Sequence, residues 1–244
     1  MITRTEVEKL GAMHAVEPTM LSLYLAVPPP PAPLSLLAAR ADELIAAAEA
    51  AAGAGRQVGE QDRNALREML ALCGRNWPGH MVAIFASAGA GLLEALPLPG
   101  PLPGLLRERA VLGIRPHIRP LLAALQQCPE QHDRPAVDEI LFSSRGASVA
   151  IGLPACLAAV NACAVQTLIV PGDGLVPGYE CGRCGALSTD ADSCPDWGTA
   201  ALPVPDVIEE MVIRALEDGA QISVIHGAHA PVAARLYFPL TTAA

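Results

Sequence analysis

Aromatic residues are scarce in this chain, because Phe, Trp and Tyr together make up 3% of its 244 residues. Hydrophobic residues nevertheless account for 52%, and most of them are Ala, Leu and Val. A core must therefore be built from small aliphatic side chains, and a globally disordered chain is excluded. Pro and Gly are frequent, at 23 and 21 residues, which predicts many short elements within one large or two modest domains.

An apolar run suited to export or to membrane insertion is also missing. The N-terminus carries charges such as Arg4 and Lys9 where a signal peptide needs an apolar segment. Residues 146–172 contain no charge, but this stretch is Ala-rich, is interrupted by Pro154 and Asn161, and divides into a helix and a strand. A membrane span needs about 20 predominantly apolar residues. We therefore expect a cytoplasmic protein with no membrane span.

Positive charge is scarce in the second half of the chain. Residues 1–128 hold eleven Lys/Arg and eleven Asp/Glu, whereas residues 129–244 hold five and fourteen, so the net charge of −9 lies in the second half. An acidic surface repels phosphate, which argues against direct binding of nucleic acid there, and we expect no DNA partner. Such a surface suits a basic protein partner, although it also serves solubility alone.

Breaks in the apolar pattern divide the first half into alternating strands and helices. This alternation predicts an α/β domain over residues 1–128. The predicted strands cover residues 21–27, 80–85, 92–96 and 105–114, and the predicted helices cover residues 34–52, 60–73 and 119–127.

A polar, proline-bounded segment at residues 128–135 is the predicted linker to a second α/β domain over residues 136–244. Helices and strands alternate again in that domain, except for a long irregular segment at residues 171–205. The predicted helices cover residues 137–142, 154–163 and 205–218, and the predicted strands cover residues 148–151, 166–170, 221–226 and 233–240.

The sharpest motif is Cys181-Gly-Arg-Cys184, followed by Cys194. Two thiolates two residues apart in a tight glycine turn can face one tetrahedral metal ion, and a second such turn completes a zinc ribbon. Here the second turn offers only Cys194, because Trp197 stands in the place of the fourth ligand. We predict a degenerate ribbon over residues 178–200 with an incomplete zinc ligand set, in which any zinc would be structural.

Three interpretations of these cysteines remain. Zinc could be held by the three thiolates and a substitute ligand, the ribbon could have lost its metal and kept its shape, or Cys181 and Cys184 could form a redox dithiol. A redox motif should follow a strand and open a helix, whereas this one lies in a Gly/Ser/Asp-rich loop. The candidate substitute ligands are Asp192, Asp196, His226 and His229.

Basic residues cluster near the end of the first half, with four arginines and a histidine within thirteen residues. Such a cluster could line an edge that contacts RNA phosphates. The alternative is a solvated loop with local pairing to Glu108, because no aromatic residues are interleaved. The candidate RNA-binding residues are Arg107, Arg109, Arg115, His117 and Arg119.

The motifs of the common catalytic sites are missing. The chain has no nucleophile-elbow serine, no Walker loop and no dinucleotide fingerprint, and residues 87–91 form only a glycine-rich turn. We therefore predict that the protein is not an enzyme and name no catalytic residue. The remaining cysteines are expected to be small core residues: Cys73, Cys128, Cys156 and Cys163.

The order of segments in the second half carries a resemblance. Residues 149–170 run from a strand and a glycine through a helix to a second strand, and the cysteine insert follows them. A helix at residues 204–219, a strand at 220–225 and a closing Arg-Leu-Tyr-Phe at 235–238 complete the series. In this order it resembles the last domain of archaeal and eukaryotic-type class I peptide chain release factors, of the Pelota and release-factor superfamily, whose archaeal and bacterial members carry a zinc ribbon there. The resemblance implies an α/β/α sandwich.

Segments of the first half are similar to the first domain of the bacterial relatives of these factors, namely residues 21–27, 82–86, 96–99 and 115–122. The family's middle domain has no counterpart, since about ten linker residues stand in its place. The Gly-Gly-Gln motif that hydrolyses peptidyl-tRNA and the Asn-Ile-Lys-Ser loop that reads stop codons are both absent.

The resemblance therefore implies a non-catalytic, translation-associated factor that binds the ribosome or a translation factor. A translation GTPase or a ribosomal stalk protein is the partner that it suggests. A stand-alone protein-interaction module without a ribosomal partner is the alternative from another class, and a thiol redox protein is the third. The sequence leaves the oligomeric state open.

Overall fold

The structure is a computed structural model that divides into two compact units, an N-terminal unit, Met1–Leu125, and a C-terminal unit, Gln126–Ala244. Both units combine helices with a β-sheet, which confirms the predicted α/β class. The predicted linker at residues 128–135 and the predicted helix at residues 137–142 lie outside the described residues. The structure describes residues 3–13, 20–31, 33–53, 56–98, 107–126, 148–190, 194, 197–225 and 232–240.

The first eight elements follow the predicted alternation of strands and helices, with one helix added at the N-terminus. The helices are α1 (Arg4–Gly11), α2 (Leu34–Ala52), α3 (Glu60–Asn76) and α4 (Arg119–Gln126), and the strands are β1 (Met20–Ala26), β2 (Met81–Ser87), β3 (Leu92–Pro97) and β4 (Arg109–Gly113).

The sheet of the N-terminal unit is antiparallel, with the order β3-β2-β1-β4. In the centre of the sheet Leu23 lies opposite Ile84 on one side and Ala110 on the other. Helices α2 and α3 pack against this sheet and against each other, and their Leu37 and Leu66 join the same buried cluster. Each fully buried aliphatic side chain of this kind contributes about 1.5–3 kcal/mol. Aliphatic residues thus predominate in this cluster, as the composition predicts.

The C-terminal unit contains a main sheet, two described helices and a small second sheet. The main sheet consists of β5 (Val149–Ile151), β6 (Val165–Pro171), β10 (Gln221–Ile225) and β11 (Ala233–Leu236), the helices are α5 (Leu153–Asn161) and α6 (Val207–Glu217), and the small sheet consists of β7 (Gly178–Cys181), β8 (Leu187–Ser188) and β9 (Ala201–Val204).

The main sheet has the order β10-β6-β11-β5, with β6 and β10 parallel and β11 antiparallel to its neighbours. Parallel strands require a crossover connection, and the small sheet and α6 lie within the one that joins β6 to β10. Helices α5 and α6 contact each other as well as the sheet, so they cover one face. The described helices of this unit thus form one of the two helical layers of the expected α/β/α sandwich.

The segment expected to be irregular, residues 171–205, instead contains the whole small sheet, with the strand order β8-β7-β9. Asp206 connects this segment to α6, because its Oδ1 accepts hydrogen bonds from the backbone N–H groups of Val176 and Ile208, each at 3.2 Å. The second bond caps the helix. Within the described part of the chain, no helix is long and apolar enough to cross a membrane.

Candidate metal site

The first cysteine turn, residues 181–185, connects β7 to β8. Its backbone is closed by two hydrogen bonds, from Gly185 N–H to the Cys181 carbonyl at 2.8 Å and from Cys181 N–H to the Ala186 carbonyl at 2.9 Å. Gly185 has a φ of +70°, a left-handed conformation that glycine adopts without steric cost. The chain therefore reverses tightly enough for Cys184 to approach Cys181.

The second cysteine turn, residues 194–198, repeats the same pattern. Gly198 N–H donates to the Cys194 carbonyl at 2.7 Å, and Cys194 N–H donates to the Thr199 carbonyl at 3.0 Å. Gly198 has a φ of +60°. Trp197 occupies the position that Cys184 holds in the first turn, so the two turns share their closing hydrogen bonds and differ in the fourth ligand position.

The two turns bring three sulfur atoms together. The Sγ atoms of Cys181, Cys184 and Cys194 all lie within 4.8 Å of one another, and the last two are 3.5 Å apart. A tetrahedral zinc ion with Zn–S bonds of about 2.3 Å requires sulfurs roughly 3.8 Å apart. The three cysteines could therefore hold a metal ion, as their spacing in the sequence suggests.

The fourth ligand position is taken by a side chain that cannot coordinate a metal. Trp197 is 50% exposed, and the guanidinium carbon of Arg183 lies 3.7 Å from the centre of its ring. This cation–π contact occupies one face of the indole at the end of the small sheet. The four candidate substitute ligands, Asp192, Asp196, His226 and His229, lie outside the described residues.

The environment of Cys181 favours its thiolate. Hydrogen bonds from the backbone N–H of Cys184, the hydroxyl of Thr199 and the backbone N–H of Arg183 lower the pKa of Cys181 to about 6. The Thr199 Oγ1 atom lies 3.1 Å from the Cys181 sulfur. Because metal ions bind the thiolate, Cys181 is already in its binding form at neutral pH.

Cys184 shifts in the opposite direction. The backbone N–H of Ala186 lowers its pKa, but burial, the neighbouring thiols of Cys181 and Cys194 and the negative charge of Cys181 together raise it above the ordinary value. The first thiolate of the cluster therefore disfavours the second, which is the expected behaviour of like charges held together. A divalent cation among the sulfurs would remove this repulsion.

The remaining cysteines divide between the core and the surface. Burial raises the pKa of Cys73 to about 11 and that of Cys156 to about 12, so both are inert core thiols, as expected. The expectation was wrong for Cys163, which is exposed and has a φ of +51° just after α5. It lies where the chain leaves the helix, and not on the helix face that packs. Cys128 is outside the described residues.

The five candidate RNA-binding residues differ in exposure. Arg107 is exposed, Arg109 and Arg115 are half-buried, and His117 and Arg119 are buried. The backbone N–H of His117 donates to the Ser22 hydroxyl at 2.8 Å, which fixes this segment to β1. RNA contact by the set stays a prediction, with Arg107 as its accessible member.

Glu108, the acidic residue within this cluster, bonds to two other parts of the N-terminal unit. Its carboxylate accepts a hydrogen bond from Arg40 of α2 at 2.9 Å and another from the backbone N–H of Ala26 at 3.1 Å. The carboxylate thus connects the start of β4 to α2 and to the end of β1.

Sequence reasoning missed three side chains that contact the first cysteine turn or the residues that follow it. Thr199 hydrogen-bonds the Cys181 sulfur, Arg214 of α6 bonds the turn, and Asn161 of α5 bonds β8. Each is separated from its partner by at least eighteen residues. No local pattern in the sequence connects such pairs, so only the fold reveals them.

Comparisons with known proteins found only weak similarities. No protein-family model and no curated protein matches the chain. Among solved structures, the C-terminal domain of a peptide chain release factor from Methanosarcina mazei is 20% identical, covers 41% of this chain and 76% of its own, and has a TM-score of 0.28. A structure described as an archaeal protein is 13% identical over 99% of both chains, with a TM-score of 0.27. Similarities this low leave the function to be argued from the residues themselves.

Proposed function

We propose that this protein is a non-catalytic, translation-associated factor that binds the ribosome or a translation factor, and that its cysteine cluster holds a structural zinc ion. The observation that carries the proposal is the position of the small sheet. Its cysteines lie in the crossover between β6 and α6. This is where the sequence resembles the ribbon-bearing last domain of release factors.

The order of elements around the insert supports the same assignment. Strand β5, helix α5 and strand β6 precede the small sheet, and α6, β10 and β11 follow it. These are the segments on which the sequence resemblance depends. The predicted boundaries of these elements differ from the observed ones by a few residues.

The composition of the cluster supports a structural metal. Among the described residues, the group that could ligate an ion together with the Cys184 sulfur contains only cysteines, namely Cys181 and Cys194. Thiolate-rich ligand sets are typical of structural zinc, which stabilises small sheets that have little core of their own. We therefore assign zinc to holding the two cysteine turns together.

The charge of the C-terminal region supports a protein partner over direct contact with RNA. Residues 129–244 hold five Lys/Arg and fourteen Asp/Glu, a formal net charge of −9. Such a surface favours association with basic proteins, which are common in the ribosome, and disfavours phosphate. The absence of a Gly-Gly-Gln sequence supports a role without peptidyl-tRNA hydrolysis.

Ribosome co-sedimentation tests the proposed function. Tagged protein from growing and from stressed cells should travel with ribosomes in at least one condition, and washing with high salt should release it, because charge contributes to the contact. Protein found only in the free pool in both conditions would contradict the proposal. Affinity purification separates the alternative of a stand-alone interaction module, which would recover a few unrelated proteins in place of ribosomal proteins and rRNA.

Elemental analysis tests the metal. Protein purified without chelator should contain about one zinc ion per chain, and the Cys184→Ser variant should contain far less. Exposed Cys163 provides the matched control, since Cys163→Ser removes a thiol outside the cluster and should leave the zinc content unchanged. Wild-type protein without zinc would favour the metal-free ribbon.

A thiol redox function is the second candidate, and two observations favour it. The Cys184 and Cys194 sulfurs are 3.5 Å apart, and the pKa of Cys181 is lowered to about 6. Against it, Cys181 ends a strand and leads into a turn to β8, where a redox motif would open a helix. A disulfide couple that is measurable in the wild type and lost in Cys184→Ser would support this function.

A further inference from the structure

A forked side chain from α6 holds the first cysteine turn. The Nη2 atom of Arg214 donates a hydrogen bond to the Cys184 carbonyl at 3.0 Å, and its Nη1 atom donates to the carbonyl of Gly185. Arginine is suited to this contact because its donors lie in one plane at fixed spacing, so that one side chain can bridge consecutive carbonyls. The direction of the Cys184 backbone is therefore set by a residue outside the insert.

The fit between this guanidinium and the turn is close. A Cβ atom added at Gly185 would lie 3.0 Å from Nη2 of Arg214 and 3.4 Å from Oε1 of Glu180. An added Cβ would therefore press on the guanidinium, at a position whose φ of +70° already favours glycine. The guanidinium, the glycine and the Glu180 side chain form one packed group behind Cys184.

A second helix holds the strand that leaves the turn. The Asn161 side chain, at the end of α5, donates from Nδ2 to the Leu187 carbonyl at 2.9 Å and accepts from the Leu187 N–H through Oδ1 at 2.9 Å. Leu187 is buried and begins β8. Since α5 and α6 contact each other, both connections reach the same helical layer.

We propose that Arg214 is a positioning residue for the metal site, assisted by Asn161. By fixing the carbonyls of Cys184 and Gly185, Arg214 places the Cys184 sulfur against that of Cys194 before any ion is bound. The proposal rests on the proposed metal binding and assigns the geometry of that site to α5 and α6. Groups that orient metal ligands from outside the ligand set typically change affinity about 10- to 100-fold when they are lost.

Cobalt(II) titration of the full-length, metal-free protein tests this role, because Co²⁺ bound to thiolates has absorption bands that report ligand number and geometry. Arg214→Gln should weaken Co²⁺ binding about 10- to 100-fold and alter these bands. Arg214→Lys, which keeps the charge but loses the fork, should fall between Arg214→Gln and the wild type. Arg235→Gln is the matched control, because it changes an exposed arginine of β11 in the same unit and should bind like the wild type.

The outcomes separate this inference from the proposed function. Wild-type protein that fails to bind Co²⁺ would remove the proposed metal site and the inference with it. Wild-type binding together with unchanged affinity and bands in Arg214→Gln would overturn the inference alone.

Asn161→Asp tests the proposal if Arg214→Gln does not fold, as judged by the loss of its native circular dichroism spectrum. The substitution keeps the size of the side chain but places an acceptor against the Leu187 carbonyl. It should weaken Co²⁺ binding by several-fold or more. Folded Asn161→Asp with wild-type affinity would overturn the proposal that the helices position the site.

Discussion

The two cysteine turns share their two closing backbone hydrogen bonds but differ in their surroundings. Behind the first turn, a Cβ at Gly185 would meet Arg214, whereas a Cβ at Gly198 in the second turn would meet nothing within 4 Å. The first turn carries two cysteines and is held by a helix, while the second carries Cys194 and the exposed Trp197. The comparison teaches that two turns can keep the same closing bonds with a cysteine or a tryptophan at the same position, because a glycine and backbone bonds maintain them.

Removing the ligand of the second turn should have the largest effect. Cys194→Ser leaves two thiolates, both on the first turn, and should weaken Zn²⁺ or Co²⁺ binding by more than about 100-fold, beyond the usual cost of an outer-shell change. Competition with a chromophoric chelator measures the loss. Cys163→Ser, which lies outside the cluster, should bind as the wild type does. Equal affinity in Cys194→Ser would show that the second turn supplies no ligand.

Adding a fourth cysteine to the site should have the next largest effect, in the opposite direction. Trp197→Cys gives both turns the same Cys-x-x-Cys-Gly pattern and should raise metal affinity at least about 10-fold. The Co²⁺ spectrum should take on the intensity of a four-thiolate site. Trp197→Ala is the control, since it removes the contact with Arg183 without adding a ligand. An unchanged Co²⁺ spectrum in Trp197→Cys would mean that a cysteine at position 197 does not reach the metal, although the backbones of the two turns match.

Substituting each glycine by alanine should measure the difference in surroundings. Both residues have positive φ, so each change should cost about 1–2 kcal/mol of backbone strain in the free energy of unfolding. Gly185→Ala should cost more, because the new methyl group must displace the Arg214 guanidinium. Urea unfolding of the metal-free variants makes the comparison. Equal destabilisation would mean that the guanidinium moves aside freely.

The smallest expected effect concerns the hydroxyl group that connects the two turns. In the metal-free wild type, ultraviolet absorbance should show one thiol ionising near pH 6, and Thr199→Val should move this transition to higher pH. Because folding lowers the pKa of Cys181, its thiolate stabilises the fold fully above pH 9.0, and this contribution is lost as the pH falls through about 6. A transition unmoved in Thr199→Val would assign the shift to the backbone N–H groups alone.

Helices and strands with a clear hydrophobic periodicity were predictable from the sequence. Helix α2 begins and ends at the predicted residues, and β2 and β3 form the predicted hairpin around the glycine-rich turn. A ribbon was predicted over residues 178–200 but its strands were not, because β8 has two residues and β7 and β9 have four each, too few to show alternation. Helix α1 was not predicted, although Thr3 and Glu6 form a capping box at its start. Helix propensity alone does not reveal this signal, which depends on the spacing of the two residues.

The proximity of the three cysteines was predictable from the sequence, whereas the side chains that support them were not. The spacing of Cys181, Cys184 and Cys194 reports a local turn, which sequence encodes directly. Asn161 belongs to an uncharged helix and Arg214 to an amphipathic one, and both residues have ordinary reasons to be there. Their contacts with the insert arise from the packing of α5 and α6 beside it, which depends on the whole unit and leaves no local pattern.

The carboxamide of Asn161 also has a consequence for how this protein meets other chains. Strand β8 is an edge of the small sheet, and such an edge exposes backbone donors and acceptors that can recruit a strand from another molecule. Asn161 satisfies both the donor and the acceptor of Leu187, in the way that a neighbouring strand would. A single side chain thus saturates both backbone groups of Leu187, so this residue offers neither a donor nor an acceptor to a strand of another molecule.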